Sequence, residues 1–233
     1  ATNSYNTAVG RDAGNDVTTG VNNTIIGGLA GDALTTGTSN AVLGYAALST
    51  DDVGNFSTAI GHGALNAQNY ATSTDGYNTA VGAKAGESVT TGIENTLIGG
   101  LAGDALTDAD FNVAVGRASL SADTLGSRSV AIGDGALFVQ NFTTATDTNN
   151  TAVGFAAGVS VTTGVQNTLI GSSSGDALTD ADGNTSVGFG SLGFDQLGSK
   201  TTAIGFRALG TQRFTTATDS NNTAVGYDAG LEV

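Results

Sequence analysis

The sequence predicts an all-β fold, a parallel β-solenoid or β-roll of thirteen coils. Three observations predict it: a pentapeptide that recurs along the whole chain, a glycine that closes every copy, and a strand apolar on both faces. The pentapeptide Asn-Thr-Ala-Val-Gly at 6–10 reappears in recognisable form throughout the 233 residues. Its closing glycines are Gly10, Gly27, Gly44, Gly61, Gly82, Gly99, Gly116, Gly133, Gly154, Gly171, Gly188, Gly205 and Gly226. The spacings read 17, 17, 17, 21 and that series runs three times, so 17-residue coils build a 72-residue super-repeat. A fixed period of this kind marks a solenoid, in which each unit buries its apolar face against its neighbours. Residues 1–233 are read as one β-solenoid domain of three super-repeats plus a partial coil.

Composition agrees with the period. Glycine supplies 36 residues while Pro, Cys, Met and Trp are absent. The 39% hydrophobic fraction is too apolar for a disordered tract, and glycine without proline suits a β structure full of tight turns. The 21 acidic residues against 7 basic ones leave a net charge of −14, which argues against nucleic acid as a partner. Eighteen of the acids are Asp, a turn residue. No apolar run approaches the ~18 residues of a membrane span, so no membrane insertion is expected of this segment.

Each coil reads as two short strands separated by glycine turns. In the first strand side chains alternate faces. The fourth place of the pentapeptide (Val9, Ile26, Leu43, Ile60, Val81, Ile98 and onward) is apolar in all thirteen coils and is read as the column that fills the roll. The third place, on the opposite face, is apolar in twelve of thirteen, from Ala8, Ile25 and Val42 to Leu169 and Ala224. A strand that is apolar throughout is buried on both faces, and no helix is available to cover the second one. The expected cover is another copy of the chain, with Ala8, Ile25, Val42, Ala80, Leu97, Ala152 and Leu169 as the candidate subunit interface. After each glycine comes x-x-[Ala/Ser]-[Gly/Leu], and then a second apolar place, as in Val17, Leu34, Val53 and Leu125. About 17 residues at ~3.3 Å each cannot circle a wide core, so a flattened two-sided roll rising ~4.8 Å per coil follows.

Ser129-Val130-Ala131-Ile132-Gly133 followed by Ala136 resembles the S-V-A-I-G-x-x-[AS] repeat of the head domain of trimeric autotransporter adhesins. The Asn-Thr-Ala-Val-Gly-x-x-Ala-Gly form at 6–14, 150–158 and 222–230 is similar to repeats of phage tail-fibre proteins. The resemblance covers essentially the whole chain. It implies a left-handed parallel β-roll, three chains per fibre, an extracellular setting as a virion fibre or cell-surface appendage, and attachment to a host or cell-surface receptor.

Residues that carry chemistry are sparse. The only histidine, His62, has Asp134 and Arg207 near its place in later coils, with no shared chemistry. A solenoid spreads like residues in ladders, whereas catalysis needs unlike ones converging, so no catalytic, cofactor or metal site is expected. Paired carboxylates in Thr107-Asp108-Ala109-Asp110 and Thr179-Asp180-Ala181-Asp182 match no calcium-loop spacing and are absent from Thr35-Thr36-Gly37-Thr38. Asparagine opens ten of the thirteen pentapeptides and is expected to form an amide ladder along the roll.

The four-residue expansion of every fourth coil is the candidate contact surface. It carries Gln68, Tyr70 and Asp75, then Gln140, Phe142 and Asp147, then Gln212, Phe214 and Asp219. Insertions in solenoids map to loops that often bind, and an aromatic beside amides and hydroxyls suits carbohydrate. The competing expectation is that the three rings turn inward as plugs. A fibre or adhesin segment is therefore expected, homotrimeric and non-enzymatic. The alternative is a structural filament whose subunits stack end to end.

Overall fold

A computed structural model describes residues 4–232. Each coil closes because it reverses at residues of positive φ, 28 non-glycine residues and 24 glycines, four for each of thirteen coils. They stand at fixed places: the residue before the pentapeptide, its closing glycine, and the second and fourth residues after that glycine. The closing glycines lie at φ of 130–144°. A Cβ on Gly61 would sit 2.3 Å from the carbonyl oxygen of Gly82 in the next coil, and Gly27 repeats the relation with Gly44 at 2.4 Å. Coils stack that closely only without a side chain there.

The reversals leave strands of three residues. Residues 1–112 form one compact unit and 113–233 another. The first holds six such strands, from Thr7–Val9 to Thr96–Ile98, and the second holds seven, from Val113–Val115 to Thr223–Val225. Within each unit the strands pair in parallel, every residue opposite its equivalent one coil on, as Ala8 opposite Ile25 and Ala152 opposite Leu169. The fold is a parallel β-solenoid of about thirteen turns, with no helix among the described residues. Short two-residue ladders, Gly54–Asn55 with Thr74–Asp75, Gly126–Ser127 with Thr146–Asp147, and Gly198–Ser199 with Thr218–Asp219, mark the expanded coils.

The faces of the long strands are the reverse of the sequence expectation. The third place points into the roll: Ile25, Val42, Ala80, Leu97, Ala152 and Leu169 are at most 1% exposed. They therefore cannot line a subunit interface; Ala8, on the same face of the first strand, is exposed. The fourth place points outward, with Val9, Leu43, Ile98, Ile132, Ile170, Ile204 and Val225 between 37% and 67% exposed. Alternation fixes which residues share a face, and both columns were apolar, so hydrophobicity gave no sign. Size decides it: Ala fills most of the inner column, since the roll is too narrow for a large aliphatic in every coil.

Two further inward columns complete the core. Four residues after the closing glycine stand Gly, Gly, Leu, Leu in each super-repeat, as in Gly14, Gly31, Leu48 and Leu65. Three residues further on stand Val, Leu, Asp, Gln, as in Val17, Leu34, Asp51 and Gln68. The columns are complementary in volume. A Cβ on Gly86 would lie 2.7 Å from Leu97 Cδ1 and 3.3 Å from Val89 Cγ2, so glycine makes room for those side chains. Leu48, Leu65, Leu120, Leu137, Leu192 and Leu209 hold φ of 46–52° in the left-handed region, at a cost of about 1–2 kcal/mol each. Burial of their side chains offsets this by about 1.5–3 kcal/mol apiece. Val53 and Leu125, expected as second apolar positions, are only half-buried; Asp51 and Asp123 occupy the inward places.

Candidate functional site

The asparagine ladder sets the geometry of the expanded coils. Asn23 Oδ1 accepts from the backbone N–H of Asn40 at 2.9 Å, and Asn23 Nδ2 donates to Gly37 O at 2.8 Å. Asn6 does the same one coil earlier, towards Asn23 N and Gly20 O. The ladder thus runs from side-chain oxygen to the next coil's backbone, with amide-to-amide contacts such as Asn184 to Asn167 (3.1 Å) secondary. Every fourth coil interrupts it with Ser57, Ser129 or Thr201, residues too short to continue it.

The expansion repairs that gap from within. Gln68 Nε2 donates to Asp51 Oδ2 at 2.6 Å and to Ser57 Oγ at 3.1 Å, while Gln68 Oε1 accepts from Asn78 Nδ2 at 2.9 Å. Asp51 Oδ1 accepts from the backbone N–H of Gly54 at 3.0 Å. Tyr70 OH donates to Gly92 O at 3.0 Å. The second super-repeat reproduces this: Gln140 reaches Asp123 (2.6 Å) and Ser129 (2.9 Å), and Asn150 reaches Gln140 (2.8 Å). The third does so through Gln212, Asp195 and Asn222, at 2.6 Å and 2.7 Å.

These contacts redefine the candidate residues. Gln68, Gln140 and Gln212 are buried, as are Tyr70 and Phe142, and Phe214 is half-buried. The rings are plugs, and the expected projecting aromatics are corrected accordingly: an amide and a ring fill a wider coil from inside. Asp75, Asp147 and Asp219 alone are exposed. Asp75 accepts from Asn55 Nδ2 at 3.1 Å, and the other two pair with Arg128 and Lys200. Burial pushes the Asp51 carboxyl above its ordinary value, against the opposing hydrogen bonds from Gln68 and the backbone N–H groups of Gly54, Val53 and Tyr70. The Tyr70 phenol is also raised, by burial first and by the charges of Asp51 and Asp110 second. Asp51, Asp123 and Asp195 were missed in the sequence, although their identical 72-residue spacing was a usable signal.

The paired turn carboxylates also tie coils together, Asp108 and Asp110 accepting from Thr91 Oγ1 (2.5 Å) and Ile93 N (2.8 Å). Among the described residues no group of three or more His, Asp or Glu converges, and no helix is long and apolar enough to cross a membrane.

The outer surface carries the remaining candidates. The exposed aliphatic column shares its face with the second place of the strand, Thr in ten coils of thirteen. Immediately past it, in the residue after the closing glycine, side chains of successive coils pair along the roll. Tyr45 stacks on His62 at 5.5 Å between ring centroids. Arg117 grips Asp134 through Nε and Nη2 at 2.9 and 3.0 Å. Phe189 stacks on Phe206 at 5.5 Å, and Phe206 on Tyr227 at 5.1 Å. No known protein family, curated protein or solved structure matches this chain.

Proposed function

We propose that the chain is a non-enzymatic segment of an extracellular fibre, assembled as a parallel homotrimer and serving attachment to a host or cell surface. One observation carries the reading: every coil places a Val, Ile or Leu on the outer face of its long strand, and among the described residues that column is exposed at seven places and half-buried at the other six. Soluble monomers rarely expose contiguous apolar patches beyond a few hundred Å², and a stripe renewed in each coil invites an identical stripe. Burying it between copies converts an exposed liability into a seam. Identical chains in parallel also present every exposed group three times, and multivalency raises a weak per-site affinity by orders of magnitude.

The test uses Ile98→Asp with Ile170→Asp, both on the outer face and clear of the core. Wild-type protein is expected to sediment as a trimer, the double variant as a monomer with unchanged circular dichroism. Labelled wild type is expected to be retained on target cells, the monomer at least tenfold less. A wild type that sediments as a monomer at micromolar concentration overturns the proposal, as does a trimer indifferent to both carboxylates.

A further inference from the structure

The outer columns that would form such a seam raise a problem of register. Each coil offers the same face, Thr or a small aliphatic at the second place and Val, Ile or Leu at the fourth. A copy shifted by one coil, ~4.8 Å, meets equivalent partners everywhere except at its ends. The overhang then exposes unpaired face to a further copy, and a displacement that does not close generates an open filament. A seam built only of these columns cannot distinguish a closed trimer from a staggered fibre.

The residues that do distinguish coils stand beside the seam. Two places past the outward aliphatic, the corner column bears Tyr45 on His62, Arg117 gripping Asp134, and Phe189 on Phe206, all but half-buried Asp134 exposed. The three pairs occupy the same two coils of successive super-repeats yet differ in chemistry: aromatic on imidazole, ion pair, aromatic on aromatic. The seam's area draws this column in. Three strand residues span ~10 Å, so each coil supplies roughly 48 Å², about 290 Å² over the six coils of the first unit and about 340 Å² over the seven of the second. A standard interface takes ~800 Å² per partner, so the columns alone fall short and the flanking corner side chains complete the contact.

We infer that these three pairs set the axial register between copies of the chain, resting on the homotrimer reading above. In register, each pair meets its own kind around the axis. After a slip of one super-repeat, the Arg117–Asp134 pair meets Phe189–Phe206, and a charged pair is dehydrated against rings that return no hydrogen bond.

The chain has no cysteine, so crosslinking reads a slip of one super-repeat directly. Ile26→Cys and Ile98→Cys lie 72 residues apart on the outer face, four coils or ~19 Å along the roll. Chains carrying one or the other are refolded together with a bis-maleimide spacer of about 8 Å, too short for that gap. For an otherwise wild-type chain, crosslinks of like to like are expected to exceed 26-to-98 crosslinks at least tenfold. Arg117→Phe with Asp134→Phe copies the third pair into the second site, and is expected to bring the mixed crosslink to within threefold of the like one, with larger species in sedimentation. Tyr45→Arg with His62→Asp, which copies the ion pair into the first site, leaves Arg117–Asp134 facing Phe189–Phe206 after the same slip, and is expected to keep like-to-like crosslinks in excess. Trimers of the Arg117→Phe, Asp134→Phe variant that keep the tenfold preference overturn the register inference and leave the homotrimer standing. A monomeric parent overturns the homotrimer and the inference with it.

Discussion

Two glycines of one coil, Gly133 and Gly135, separate the two reasons a solenoid needs glycine. Gly133 has φ +132° and an added Cβ would lie 2.3 Å from Gly154 O and 2.6 Å from Gly154 C. Gly135 has φ +66° and nothing within 4 Å of its Cβ position. Other coils hold Ala at the Gly135 place, Ala46, Ala118 and Ala156, at φ of 51–53°. Gly135→Ala therefore meets a left-handed cost of about 1 kcal/mol, partly offset by about 0.4–1 kcal/mol of lost unfolded-state entropy. A net change within about 1 kcal/mol is expected. Gly133→Ala meets a Gly-only backbone region, about 1–3 kcal/mol, and a shortfall of over 1 Å from ordinary contact at ~3.5 Å. Relieving it pries apart the two coils held by Gly154 N to Ile132 O (2.8 Å), about 1 kcal/mol net, and displaces the packing around it. The expected cost is about 3–5 kcal/mol. Urea unfolding followed by circular dichroism reads the difference as a midpoint separation of about 1–1.5 M, and hydrogen exchange at Gly154 N–H localises it. If the two variants lose equal stability, to within about 0.5 kcal/mol, the glycine column does not govern coil stacking and the account of close packing fails.

Tyr70→Phe adopts the residue found at the matching Phe142 and Phe214 and leaves Gly92 O with the Asn78 donor at 2.8 Å; a loss of about 0.5–1 kcal/mol in thermal unfolding is expected. Asp51 has its folded pKa raised above the ordinary 3.8, so its contribution to stability is full below that value and is lost as pH rises through the folded pKa. Measured against Asp51→Asn, which cannot titrate there, the wild type is expected to gain stability as pH falls from 7 towards 4, and a flat difference refutes the assignment.

The fold was legible because its signal is a period. Thirteen closing glycines fixed coil length, strand position and parallel pairing, and each recurs as a close contact between coils. The facing of the strands was not legible from hydrophobicity, since Val9 and Ala8 types are both apolar. A usable sign lay one residue earlier: the second place is Thr in ten coils and shares a face with the fourth, so the polar column marked the outside. The expanded coils misled for a related reason. A four-residue insertion with Tyr70, Phe142 and Phe214 looks like a projecting loop until Asp51, Asp123 and Asp195 are seen one coil earlier, turned inward to receive Gln68, Gln140 and Gln212. Inter-coil partners 17 residues apart become evident only once the inward parity is known.

Those Asp–Gln pairs place polar groups where the first two coils of a super-repeat use Val17 and Leu34. An apolar pair would avoid dehydrating a carboxylate, so the pair's value lies in matching one coil to the next. Asp51 offers oxygens that only a donor-bearing neighbour can satisfy, and Gln68, in the widened coil, is that neighbour at 2.6 Å. Asp51→Ala takes the acceptor from the Gly54 N–H and from one of the two Gln68 Nε2 donors, leaving Gln68 Nε2 only Ser57; Gln68→Ala takes the donor from Asp51 Oδ2. Each single change is expected to cost about 2–4 kcal/mol, as a buried group loses a charge-assisted partner. The double change removes both partners together, so it is expected to cost less than the sum by about 1.5–3 kcal/mol, the strength of a hydrogen bond to a charged group. The same coupling, within about 1 kcal/mol, is expected for Asp123 with Gln140. A thermodynamic cycle from urea unfolding measures it, and additivity within about 0.5 kcal/mol would show that the two side chains merely share a wide coil without holding it in place.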